Sequence, residues 1–185
     1  RFVAFVSSAG NLVTGGTNGK AHVFVRDRQT GETTRVSVAS DGTQADGDSY
    51  SPSPSADGRY VVFTSTATDL HPADLANGVD VFLHDRNTGQ TRLVNVDKNG
   101  YQLYTQHIVG RPAISADGRY VAYSNAGAAI YIHDMTGGDF TSCGYPTEGG
   151  MSAVYGSEHP VLSGDGSLIA FTSDADLRLP GDSDT

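Results

Sequence analysis

The chain is 185 residues long and carries 21 acidic against 12 basic side chains, a formal net charge of −9 at pH 7. That balance favours solubility and argues against a nucleic-acid partner, whose phosphate backbone it would repel. No apolar run approaches the roughly 18 residues of a membrane-spanning helix, and a single cysteine excludes an internal disulfide framework.

Helical periodicity is absent throughout. Apolar residues fall instead in short runs bounded by Gly, Asn, Asp and Pro, the pattern of strands and turns. Arg1 to Ser7 is the first such run, followed by a Gly/Asn/Thr loop over 9–20. His22 to Arg28 and Thr33 to Val38 read as the next two strands, and 40–50 as a linker. Ser51 to Pro54 then begins a complete set of four. Ser55-Ala56-Asp57-Gly58 is a tight turn, in which Asp bonds the backbone ahead of it and Gly takes the positive φ. Arg59 to Ser65, rich in β-branched and aromatic residues, is the second strand. A loop over 66–79 leads to Asp80 to Asp85, and Asn87-Thr88-Gly89 turns the chain into Thr91 to Val96. After a linker over 97–110, Arg111 to Asn125 supplies two strands, a three-residue loop follows, and 129–145 supplies two more. A linker over 146–158 precedes the final pair of strands in 159–173.

The chain repeats itself. SADGRYVVF at 55–63 returns as SADGRYVAY at 115–123 and SGDGSLIAF at 163–171, offsets of 60 and 48 residues. DVFLHDRNTGQT at 80–91 is matched by HVFVRDRQTGET at 22–33 and AIYIHDMTGGDF at 129–140, offsets of 58 and 49. Two landmarks in the same order at nearly the same spacing mark one structural unit of four strands. Val81 and Leu83 point to one face of its sheet and Phe82 and His84 to the other, so both faces require cover. Four-stranded sheets covered on both sides at this period predict an all-β fold, a β-propeller of antiparallel blades. About three blades are present: 1–38 is a blade lacking its first strand, 51–96 and 111–145 are full, and 159–185 holds strands one and two. Bare sheet faces and edges are an aggregation liability. We therefore expect further blades, from sequence beyond the ends or from another copy of the chain.

The pattern resembles the WD-like propeller repeats of TolB-type proteins. The matching residues are Ser55, Asp57, Gly58 and Ser65, then Asp80 to Asp85, Thr88 and Gly89, and the likeness runs through nearly the whole chain. It differs from the sialidase Asp-box, because Gly58 follows Asp57 directly. The resemblance implies a propeller from a secreted or periplasmic protein, in a family that includes both binding scaffolds and the propeller domains of enzymes.

In an up-and-down sheet the connections alternate between two ends. The S-x-D-G and T-G turns therefore share one rim, and the irregular segments 9–20, 66–79, 97–110 and 146–158 share the other. Variable loops on a rigid frame carry function, so the second rim is expected to bind a protein or glycan. Tyr101, Tyr104, His107 and Tyr155 are the candidate contact residues, since amphipathic rings favour interfaces. Asp74, Asn77 and Asp80 are oxygen ligands close enough in sequence to hold calcium, although side chains bonding their own loop give the same pattern. His84 and His133 share a strand position that the first unit fills with Arg26, which marks a framework site. No zinc spacing joins any two histidines, and G-x-S-x-G is absent. We expect a non-catalytic scaffold without a cofactor. The alternatives are the accessory propeller of a serine hydrolase of prolyl-oligopeptidase type or of a polysaccharide lyase, and a calcium-stabilised assembly repeat.

Overall fold

The computed structural model describes residues 1–75, 77–97, 99–103, 108–125, 129–137, 140–143 and 158–172. Within them the chain forms thirteen strands and no helix. β1 (Phe2–Ser7), β2 (His22–Asp27) and β3 (Thr33–Arg35) make the first sheet. β4 (Ser49–Pro54), β5 (Tyr60–Ser65), β6 (Asp80–Asp85) and β7 (Gln90–Leu93) make the second. β8 (Ile108–Ile114), β9 (Tyr120–Asn125), β10 (Ala129–Asp134) and β11 (Phe140–Cys143) make the third, and β12 (Glu158–Leu162) pairs with β13 (Ile169–Thr172). Every pairing is antiparallel between consecutive strands.

The sheets lean on one another in sequence order. Val23, Val25 and Val36 of the first sheet pack against Val61, Phe63, Phe82 and Leu93 of the second. The other face of the second sheet, with Val62, Val81, Leu83 and Val94, packs against Val121 and Tyr123 of the third. Ala122 and Ile130 on the far side of the third sheet meet Leu162, Ile169 and Phe171 of the last pair. Alternate residues of β5 and β6 thus enter different cores, as a sheet covered on both sides requires. Each fully buried Val, Leu or Phe contributes roughly 1.5–3 kcal/mol. One aromatic pair stacks between neighbouring strands in each of the first three sheets, across β1–β2, β5–β6 and β9–β10: Phe5–Phe24, Phe63–Phe82 and Tyr123–Tyr131, with ring centroids 5.7, 5.9 and 5.6 Å apart.

Two boundaries differ from the expectation. The fourth strands end at Arg35 and Leu93 rather than at Val38 and Val96. The ladder runs one step further through backbone bonds from Val36 to Val23 and from Val94 to Val81. Then a side chain replaces the backbone acceptor: the Val23 amide donates to Ser37 Oγ (3.1 Å) and the Val81 amide to Asn95 Oδ1 (3.0 Å). The first strands begin earlier, at Ser49 and Ile108, because they continue through a bulge. The bulge contains Pro52 in β4, Pro112 in β8 and Pro160 in β12. Proline has no amide to give a ladder, and a bulge is where a strand tolerates it.

A candidate binding rim

The rim of short turns is framework. In each S-x-D-G turn the serine hydroxyl donates to the aspartate: Ser55 to Asp57 (2.6 Å), Ser115 to Asp117 (2.6 Å) and Ser163 to Asp165 (2.7 Å). That hydroxyl bond leads the contacts holding Asp57 and Asp117 below the usual carboxylate range, and it holds Asp165 at about 2. The turns bond to one another across the sheets, Ala56 amide to Ala116 carbonyl (3.1 Å) and Ala116 amide to Gly164 carbonyl (2.8 Å). Asp27, Asp85 and Asp134, at the ends of β2, β6 and β10, receive Arg1, Arg59 and Arg119. His84 is buried and bonded to Thr91 Oγ1 (2.9 Å), and Arg26 makes the corresponding bond to Thr33 Oγ1 (3.0 Å). In these two units the side chain at this strand position is hydrogen-bonded to a threonine of the neighbouring strand. Burial pushes His84 down to about 4, so it stays neutral near pH 7.

The opposite ends of the sheets are joined loop to loop. Asn18 donates to the Ala45 carbonyl (2.9 Å), and Asp48 accepts from the Ala21 amide (2.7 Å). Asp46 accepts from the Thr68 amide (2.8 Å) and hydroxyl (2.9 Å), while its own amide donates to Asp69 Oδ1 (3.0 Å). Burial works against the Asp46 carboxylate, yet these Thr68 bonds hold it below its ordinary value; Asp69 is raised, first by burial. Gly47 lies so close to Thr66 and Ala67 that a Cβ there would collide with their backbone. The linker 40–50 therefore bridges the loops of the first two units.

The densest part of this network surrounds Gln102. Its Nε2 donates to Asp74 Oδ1 (3.1 Å) and Asp80 Oδ1 (3.0 Å), and its Oε1 accepts from the Leu75 amide (2.8 Å). Asn95 Nδ2 donates to the same Asp80 oxygen (2.6 Å). Asp74, Asp80, Asn95 and Gln102 are all buried. The structure thus unites Asp74 and Asp80 around amide donors, and Asn77 is exposed. Among the described residues no group of three or more His, Cys, Asp or Glu is placed to hold a metal ion.

Tyr101 stands beside this buried knot. Its amide donates to Asp97 Oδ1 (2.9 Å) and its carbonyl accepts from the Asp97 amide (2.8 Å), which fixes the turn that presents its ring. Tyr101 is 71% exposed, and Leu75, whose amide is fastened to Gln102 Oε1, is 77% exposed. Tyr104, His107 and Tyr155 lie outside the described residues. Sequence reasoning missed Leu75 and Gln102. A signal was present for the second, since Gln44 and Gln102 stand 58 residues apart, at the unit offset, and each pairs back to Val38 or Val96.

No family model matches the sequence, and no curated protein matches it. Solved structures do. The tricorn protease is similar over 93% of this chain and 14% of its own, with a TM-score of 0.54 and 14% identity. An oligogalacturonate lyase in complex with manganese is similar over 95% of this chain and 42% of its own, at 0.51 and 16%. A TolB from Agrobacterium tumefaciens covers 84% of this chain and 52% of its own, at 0.49 and 16%. The fold is that of a β-propeller. The match shows the fold alone, and the chain spans between 14% and 52% of the length of these structures. Among the described residues the sheets do not close into a ring. Among the described residues no helix is long and apolar enough to cross a membrane.

Proposed function

We propose that this propeller section is a non-catalytic binding scaffold that captures a protein or glycan through the loop rim. One observation carries the reading: Tyr101 and Leu75, both large and exposed, are both held at the buried Gln102 knot, the first as its chain neighbour and the second through its amide. A rigid base under exposed apolar groups reduces the ordering cost that binding would otherwise incur. Exposed aromatic groups of this kind anchor interfaces. The motif resemblance to TolB-type repeats supports an extracytoplasmic location, secreted or periplasmic, which cell fractionation tests.

The test is capture on arrays of glycans and of extracytoplasmic proteins, with Tyr101→Ala and Leu75→Ala compared with the parent chain. Loss of capture with an unchanged β-rich circular dichroism spectrum is the expected result. Capture that survives both substitutions rejects this rim position. The same section could serve as the accessory propeller of a serine hydrolase or polysaccharide lyase; a G-x-S-x-G motif in an α/β pattern elsewhere in the full coding sequence would identify the hydrolase.

A further inference from the structure

Where asparagine or aspartate precedes glycine, the glycine nitrogen can attack the side-chain carbonyl carbon. Glycine favours this attack because it has no Cβ to obstruct the approach and its backbone turns freely. Eight such bonds occur in this chain. Asn18, Asn77 and Asn99 supply three, and Asp41, Asp46, Asp57, Asp117 and Asp165 supply five. In a folded chain the reaction needs two things: a nitrogen free to move onto the carbon, and a side chain free to turn toward it.

Seven of the eight bonds are held. The amides of Gly42, Gly58, Gly100, Gly118 and Gly166 each donate to the backbone carbonyl three residues earlier, at 2.9 to 3.0 Å. The carboxylates of Asp57, Asp117 and Asp165 are fixed as well, by the serine of the same turn. Asn18 is tied at both ends of its amide: Nδ2 donates to the Ala45 carbonyl (2.9 Å) and Oδ1 meets His22 Nε2 (3.0 Å). Asp46 is bound through both oxygens by Thr68, and Gly47 is pressed against the backbone of Thr66 and Ala67.

The Asn77–Gly78 bond is different. Both residues are exposed. Among the described residues neither the Asn77 side chain nor the Gly78 amide has a hydrogen-bond partner. A Cβ placed on Gly78 would meet nothing within 4 Å, so the approach to its nitrogen is open. The bond lies in a short stretch between two fixed points, Leu75 fastened to Gln102 and Asp80 fastened to Asn95.

We propose that Asn77 is a site of spontaneous deamidation, at which the folded chain modifies itself through a succinimide. The Gly78 nitrogen bonds to Cγ of Asn77, the bond from Cγ to Nδ2 breaks, and ammonia leaves with the proton that the glycine nitrogen gives up. Water then opens the five-membered ring at either carbonyl. One opening leaves aspartate at position 77. The other leaves isoaspartate, in which the main chain runs through the former side-chain carbon. Water is the co-reactant, and nothing is oxidised or reduced. The product adds a negative charge to the loop that carries Leu75 and, as isoaspartate, lengthens that loop by one main-chain carbon. This chemistry stands whether or not the rim binds a partner.

The test is incubation of the folded chain in neutral and mildly alkaline buffer, followed by tryptic peptide mapping with mass spectrometry. Cleavage after Arg59 and Arg86 isolates Asn77 as the one asparagine of its peptide, apart from Asn18 and Asn99. Isoaspartate is scored by enzymatic methylation of its carboxyl group. Position 77 is expected to convert several-fold to about tenfold faster than positions 18 and 99, the delay that one retained hydrogen bond imposes. Conversion should quicken with pH and yield isoaspartate alongside aspartate. In urea the tethers are gone, and the three positions should react at similar rates. Gly78→Ala has room for its methyl group and needs no positive φ, so it is expected to fold while slowing conversion about tenfold or more. Asn77→Gln should remove the product. Conversion at position 18 or 99 as fast as at 77 in the folded chain would overturn the proposal. So would an unchanged rate in folded Gly78→Ala, aspartate without isoaspartate, or conversion of position 77 in urea alone.

Discussion

At the scale of single residues, one three-part contact recurs along the chain. Arg59 pairs with Asp85 and lies over the Tyr60 ring, 4.6 Å from its centre, and that ring presses on Gly118 of the next turn. Arg1, Phe2 and Gly58 repeat the arrangement, as do Arg119, Tyr120 and Gly166. The glycine is required twice over: φ is +78° at Gly118, and a Cβ there would penetrate the Tyr60 ring. Gly118→Ala is therefore expected to destabilise the chain by about 2–5 kcal/mol, the sum of the left-handed backbone cost and overpacking. Urea unfolding measures it, and a loss below half a kilocalorie would mean that the ring simply moves aside. The last unit has Ser167 and Leu168 in place of Arg and an aromatic residue, and Leu168 is 71% exposed.

Among elements, the third and fourth strands of a unit are tied at their ends by one side chain. Asn95 is fully buried; it accepts the Val81 amide and donates to Asp80. Removing it leaves a buried amide and a buried carboxylate each short of a partner. Asn95→Ala should cost about 1–3 kcal/mol, and hydrogen exchange should localise the loosening to the Val81 amide. Uniform exchange along β6 would contradict that assignment. Much of this level was legible in the sequence. The strands of the second unit alternate into two cores as Val81, Phe82 and Leu83 required, and Asp80 to Asp85 is a strand with the expected bounds. The early ends of β3 and β7 were not legible. Ser37 and Asn95 read as ordinary strand residues, and only a fold that turns their side chains onto β2 and β6 lets them replace the backbone acceptor.

Across the whole molecule, stability should depend on pH in two stages. His22, His71 and His84 all titrate below their ordinary value because burial disfavours the cation. A depressed histidine contributes stability that is complete above the unfolded value of 6.5 and is lost as pH falls toward the folded value, about 4 for His84. For His84 that interval corresponds to on the order of 3 kcal/mol. Asp27, Asp85 and Asp134 are held low first by their arginine partners, so their share is complete above the ordinary carboxylate value of 3.8 and is lost only below it. His84→Gln should flatten the unfolding free energy between pH 6.5 and 4 and leave the fall below pH 4 in place. A profile with the same slope as the parent chain would show that His84 already carries its proton in the fold.

The repeat determined the architecture. Two motifs in constant phase fix four strands per unit, and apolar residues on both faces of each strand can be satisfied only by a sheet on either side, so radial stacking followed without coordinates. Tertiary structure alone decided which polar groups remain unsatisfied and which apolar groups remain exposed. Arg35 reads like any other arginine until the register sets it beside Phe24 with two donors unmatched, and Leu75 reads as one more residue of a variable loop until its amide is fastened to Gln102 and its side chain is left exposed. Periodicity records which side of a strand a residue takes, because that is local geometry. Whether a partner waits there depends on contacts between segments tens of residues apart, which no local pattern encodes.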